Sequence, residues 1–140
     1  MTIKDALDRI RERRPSEMTD EALIACLSAV DTMIYTEKLC RHEGFEDVVF
    51  DGYGPDTPED TVLLAPPPYD DMYLHYLSAQ IDYYNGEVSR YNLAVQQYNQ
   101  CLVQYAATLT RTHMPLQPKQ VHHFGGINPY AHRLPPELEG

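Results

Sequence analysis

A seven-residue repeat runs through the second half of this chain and limits what it can fold into. Leu74, Ile81, Val88, Val95, Leu102 and Leu109 recur every seven residues. A second series, Leu77, Tyr84, Tyr91, Tyr98 and Tyr105, keeps the same period, offset from the first by three. A heptad with aliphatics at one core position and mostly tyrosine at the other describes a helix with one apolar seam. The phase is unbroken through Asn85-Gly86, which predicts one continuous helix over about 70–112. At about 1.5 Å of rise per residue such a helix approaches 65 Å. A helical hairpin turning at Asn85-Gly86 is the competing expectation, because that pair makes a good helix C-cap. If the helix is continuous, its seam is longer than two short helices can cover, and intermolecular packing must hide the rest. The seam residues expected to pack subunits together are Leu74, Leu77, Ile81, Tyr84, Val88, Tyr91, Val95, Tyr98, Leu102, Tyr105 and Leu109.

Upstream, two helices are signalled by their ends. Thr2 stands three residues before Asp5 in capping-box spacing, Ile3, Ala6, Leu7 and Ile10 make an apolar face, and Pro15 stops the helix. Arg11, Arg13 and Arg14 suit the negative end of that helix dipole. Thr19 caps the second helix, with Asp20 and Glu21 in its first turn. Leu23, Leu27, Val30 and Ile34 form its stripe, and Gly44 is the expected stop. Residues 45–50 (FEDVVF) are too few to decide on a strand. An acidic, Pro- and Gly-rich loop over 45–68 ends in Pro66-Pro67-Pro68, a run that favours polyproline II. The fold class expected is therefore all-α: a small bundle with two N-terminal helices and one long C-terminal helix. Residues 1–115 form the helical domain. Residues 116–140 carry Pro118, Pro129, Pro135 and Pro136 with Gly125-Gly126 as helix breakers, and form an extended tail whose Val121, Phe124, Ile127, Tyr130 and Leu134 suit docking on another chain.

The formal net charge is −10, and no Lys or Arg occurs over 43–89. Affinity for nucleic acid rests on cations that displace counterions, so a DNA-gripping role is disfavoured. Cys26, Cys40 and Cys101 lack a CxxC pair or a paired framework and read as reduced thiols in packing positions. No secretory h-region and no bilayer-length apolar run is visible. His113, His122, His123 and His132 lack partners at metal-ligand spacing, Asp56, Glu59, Asp60, Asp70 and Asp71 do not fit a calcium loop, and no nucleophile elbow, phosphate loop or dinucleotide fingerprint occurs. The expectation is a chain without catalytic, metal or cofactor chemistry.

The segments LSAVDTMIYTEKLCRHEG (27–44), DTVLLAPPPYDDMYLHYLSAQIDYYNGEVSRYN (60–92) and RTHMP (111–115) resemble a family of small proteins of tailed phages and prophages of gut Clostridia, in the head–tail connector or adaptor class. The likeness spans roughly residues 2–115 and is densest in AQIDYYNGEVSRYN (79–92); the tail departs from it. It implies a structural virion protein, one subunit of a closed ring of about a dozen copies at the head–tail interface. Its implied partners are further copies of itself, the portal protein and tail-completion proteins, with DNA passing without sequence-specific contact. The alternative is an assembly factor or regulatory coiled-coil module that is not retained in the virion.

Overall fold

The structure, a computed structural model, describes residues 1–116. Four helices follow in order: α1 (Ile3–Arg13), α2 (Asp20–Glu37), α3 (Asp71–Tyr84) and α4 (Val88–Thr112). A 3₁₀ turn, Leu39–Arg41, extends the end of α2, and the described residues contain no strand, only two isolated bridges. The all-α expectation holds.

Local hydrogen bonding explains where the first two helices begin and end. Asp5 N–H donates to Thr2 Oγ1 at 3.1 Å while Thr2 N–H donates to the Asp5 carboxylate at 3.2 Å, a reciprocal capping box. These bonds hold the Asp5 carboxyl below its ordinary pKa. Ala22 N–H donates to Thr19 Oγ1 at 3.2 Å and opens α2. Between the helices, the Arg11 guanidinium donates to the Ser16 and Met18 carbonyls and to Asp20, and so fixes the connection. Helix α2 stops at Glu37, earlier than expected; Gly44, at φ +96°, turns the chain after the 3₁₀ segment. A Cβ there would meet the His113 ring at 3.0 Å.

The long helix is corrected to two. Asn85 N–H donates to Ile81 O at 2.9 Å, Gly86 N–H to Tyr83 O at 3.2 Å and Glu87 N–H to Asp82 O at 2.8 Å. With Gly86 at φ +75°, this is a Schellman closure, which satisfies the last carbonyls of α3 and reverses the chain. Tyrosine rings then pair across the hairpin: Tyr83 with Tyr91 at 5.5 Å, Tyr76 with Tyr98 at 5.1 Å and Tyr69 with Tyr105 at 5.6 Å. Each pair is disposed symmetrically about Glu87. The heptad phase marks the inward faces on both sides of the turn, except at Tyr84 and Val88; it carries no information about chain direction.

Helix α3 is the centre of the fold. Its buried residues, Met72, Tyr73, Leu74, Leu77, Ser78, Ala79, Ile81 and Asp82, lie on every side of the helix. It packs against α1 and α2 on one side and α4 on the other, whereas α4 packs on α3 alone among the helices. The proline run does not extend straight: Tyr69 N–H donates to Pro66 O at 2.8 Å, closing a turn in which the Pro67–Pro68 bond is cis.

Candidate interaction surface

The hairpin redistributes the expected packing seam. Leu74, Leu77 and Ile81 are fully buried, and Tyr105 and Leu109 nearly so. Tyr91, Val95, Tyr98 and Leu102 are half-buried against α3, and only Tyr84 and Val88, at the tip, are exposed, by 62% and 67%. The seam is thus mostly closed within one chain, which removes the geometric reason for expecting it to bind a second copy. Burial pushes the Tyr98 and Tyr105 hydroxyls up to about 12. The tail residues Val121, Phe124, Ile127, Tyr130 and Leu134, with His122, His123 and His132, lie outside the described residues.

The solvent face of α4 is unusual in a chain of this charge. Over 91–110 no residue carries a charge. Leu93, Gln96, Gln100, Val103, Ala107 and Thr110 lie at alternating spacings of three and four along this outer face, all exposed, with Leu93 at 55% and Val103 at 67%. That is a second heptad stripe, opposite the first and built from aliphatics and amides. At the hairpin tip, Tyr83, Gly86, Val88 and Tyr91 line a concavity of about 290 Å³, with Tyr83 72% exposed.

The acidic residues of 43–87 divide sharply. All are exposed except Asp70, which accepts from the Met1 amino group at 3.5 Å, and Asp82, which is buried and accepts from Arg14 Nε at 3.2 Å. The 45–68 loop that carries most of them is tied down from beneath. Asp31, fully buried in α2, accepts hydrogen bonds from Tyr53 Oη and Tyr73 Oη, each at 2.5 Å, and from Leu64 N–H at 3.0 Å. Tyr73 Oη also accepts from Ala65 N–H at 2.7 Å, and Ser28 Oγ accepts from Tyr53 N–H at 3.0 Å. Burial raises the Asp31 pKa against the opposing pull of these hydrogen bonds, and burial beside Asp31 raises both tyrosines strongly. Every donor is from this chain and the carboxylate has no solvent access, so the cluster binds loop to core and offers no opening for a substrate. Sequence reasoning missed Asp31, although an aspartate between Val30 and Ile34 in an apolar stripe is the signal for a buried polar centre.

Other chemistry-bearing groups are dispersed. Cys26 and Cys101 are half-buried, and burial raises both thiols, which disfavours the reactive thiolate. Cys40 is exposed, contrary to a packing role. His42 is engaged by Lys38 O at 2.7 Å and Thr110 Oγ1 at 3.3 Å, and His113 stacks on Phe45 with centroids 4.4 Å apart. Among the described residues no group of three or more His, Cys, Asp or Glu converges as a metal-donor set, and no helix is long and apolar enough to cross a membrane. The chain matches no protein-family model, no curated protein and no solved structure.

Proposed function

We propose that this chain is a structural subunit of a head–tail connector ring of a tailed phage, placed between the portal and the tail, without enzymatic turnover. The observation that carries the reading is the outer stripe of α4. Interface cores are depleted of charge relative to the surrounding surface, and this face is free of charge over 91–110 in a chain of net charge −10. Its amides can hydrogen-bond across a helix pair while Leu93 and Val103 supply apolar contact.

A closed ring needs two different patches on each copy. The stripe on α4 supplies one, and the exposed tip around Tyr84 and Val88 supplies a candidate for the other. The phage setting comes from the likeness of residues 27–44, 60–92 and 111–115 to connector-class proteins. The exposed carboxylates of the 45–68 loop suit a channel that DNA must traverse without adhering, since like charges disfavour contact.

Native mass spectrometry and electron microscopy of the chain, alone and with a portal protein, test the reading. A ring in either sample is expected, lost in a Leu93→Glu, Val103→Glu double variant that keeps its helical circular dichroism. A strict monomer that ignores the portal at all concentrations would sink the proposal. Recovery of the protein from assembly intermediates but not from purified virions would favour an assembly factor instead.

A further inference from the structure

A second uncharged feature lies at the opposite end of α4 from the hairpin tip. Leu39, Phe45, Leu64, Tyr69, Tyr105 and Leu109 line an open groove of about 320 Å³, and none of its lining residues is Asp, Glu, Lys or Arg. Leu39 and Leu109 are each only 4% exposed, so the floor belongs to the core. The walls come from the loop after α2, from the turn before α3 and from the last turns of α4.

The chain itself is delivered to this groove. After α4 the backbone runs antiparallel to the segment following α2: Glu43 N–H donates to Met114 O at 2.8 Å and Leu116 N–H to Arg41 O at 2.9 Å, on either side of the His42–Pro115 bridge. Leu116 then lines a smaller hollow with Tyr35, Cys40 and His42, whose other walls are Leu39, Phe45 and Glu46. Leu39 and Phe45 also line the groove, so the hollow and the groove are adjoining spaces with a shared wall. Twenty-four residues follow Leu116. Val121, Phe124 and Ile127 recur at intervals of three, with no acidic residue between them. An extended chain covers roughly 3.3–3.6 Å per residue, so the eight steps from Leu116 to Phe124 span up to roughly 26–29 Å.

We propose that the groove is occupied by the apolar segment 121–127 of the same chain, with Phe124 as its principal anchor. The sequence alone suggested a neighbour or the portal for these residues. The groove beside the Leu116 hollow provides a nearer site, and tethering at Leu116 gives the segment a high effective concentration there. A docked aromatic would cover Tyr105 and Leu109 and extend the core by one side chain. The inference is independent of the collar reading: it concerns what an isolated copy does with its own tail.

Hydrogen exchange on the full-length chain tests it, with Phe124→Asp and Val121→Asp variants and Leu134→Asp as the control outside the segment. Residues 39–48 and 105–113 are expected to lose protection in the first two variants and to keep it in the third, at every protein concentration. Unchanged protection in Phe124→Asp would overturn the proposal. So would equal loss in Leu134→Asp. Protection that grows with concentration alongside a dimer would assign the groove to a second copy's tail and overturn the same-chain assignment.

Discussion

Helices α3 and α4 are joined by a three-residue turn and share one apolar seam, yet they live in different environments. Helix α3, 14 residues long, has buried residues on every side over 72–82, where even its polar Ser78 and Asp82 are inside, and opens to solvent at Asp71, Tyr83 and Tyr84 at its two ends. Helix α4, 25 residues long, has only Ala94, Tyr105 and Leu109 fully buried, and its outer face is exposed and free of charge over 91–110, between Arg90 and Arg111. A helix apolar all round belongs in a core, whereas one with a single apolar stripe belongs at a surface. Helix α4 fits neither description, because its second face is neither apolar enough to be core nor charged enough to be ordinary surface. The contrast separates the face that holds the molecule together from one that nothing within the described residues covers.

Substitutions along the two helices should expose that separation. The largest effect is expected at Leu77, which is fully buried in α3. Leu77→Ala should cost about 3–4 kcal/mol in urea unfolding, because a cavity there cannot collapse between three packed helices. Next comes Asp31, whose replacement by Ala strands two hydroxyls and an N–H in the core and should cost about 2–3 kcal/mol. Its pH dependence has a definite sign. The folded pKa lies above the ordinary 3.8, so the folded state holds the proton more tightly than the unfolded chain. The stability linked to this proton is fully present below the unfolded value and is lost as pH rises through the folded one. Urea midpoints of wild type relative to Asp31→Asn should therefore fall with rising pH across that window, and a flat difference would show that Asp31 titrates normally.

At the turn, Gly86→Ala places a side chain at φ +75° with no atom within 4 Å of the new Cβ. The cost is purely conformational, about 1 kcal/mol, and a thermal melt should show it. A neutral result would mean that α3 and α4 are not joined by this closure in solution. The smallest effect is expected at Val103, where Val103→Ala should change stability by less than about 0.5 kcal/mol and, under the ring proposal, weaken self-association in sedimentation. A large loss of stability there would place α4's outer face inside the fold and erase the contrast with α3.

Much of the fold was legible where the deciding bonds are local. Thr2 with Asp5, Thr19 with the N–H of Ala22, and Pro15 after α1 all act within a few residues, and α1 and α2 each start where the cap demands. The hairpin was not legible in the heptad, because that repeat reports a face and continues in register across a turn of suitable length. The discriminating signal was a different set of tyrosines: Tyr69, Tyr76 and Tyr83 stand at the same distances before Glu87 as Tyr105, Tyr98 and Tyr91 stand after it. The ordered course of the 45–68 loop was hidden for another reason. It depends on Tyr53 and Leu64 meeting Asp31 across 22 and 33 residues, and composition alone reads the same stretch as a loose acidic connection. Of the candidate surface, the charge-free run was visible in the sequence, but its outward orientation followed only from the hairpin.

The absence of charge over 91–110 also decides how any contact made there responds to ionic strength. Exposed charges lose their mutual influence beyond about 8 Å at physiological salt and about 3 Å at 1 M. An association through Leu93, Gln100 and Val103 has no ion pair to screen, so it should persist, or tighten, in concentrated salt. A contact made through the carboxylates of the 45–68 loop would dissolve under the same conditions.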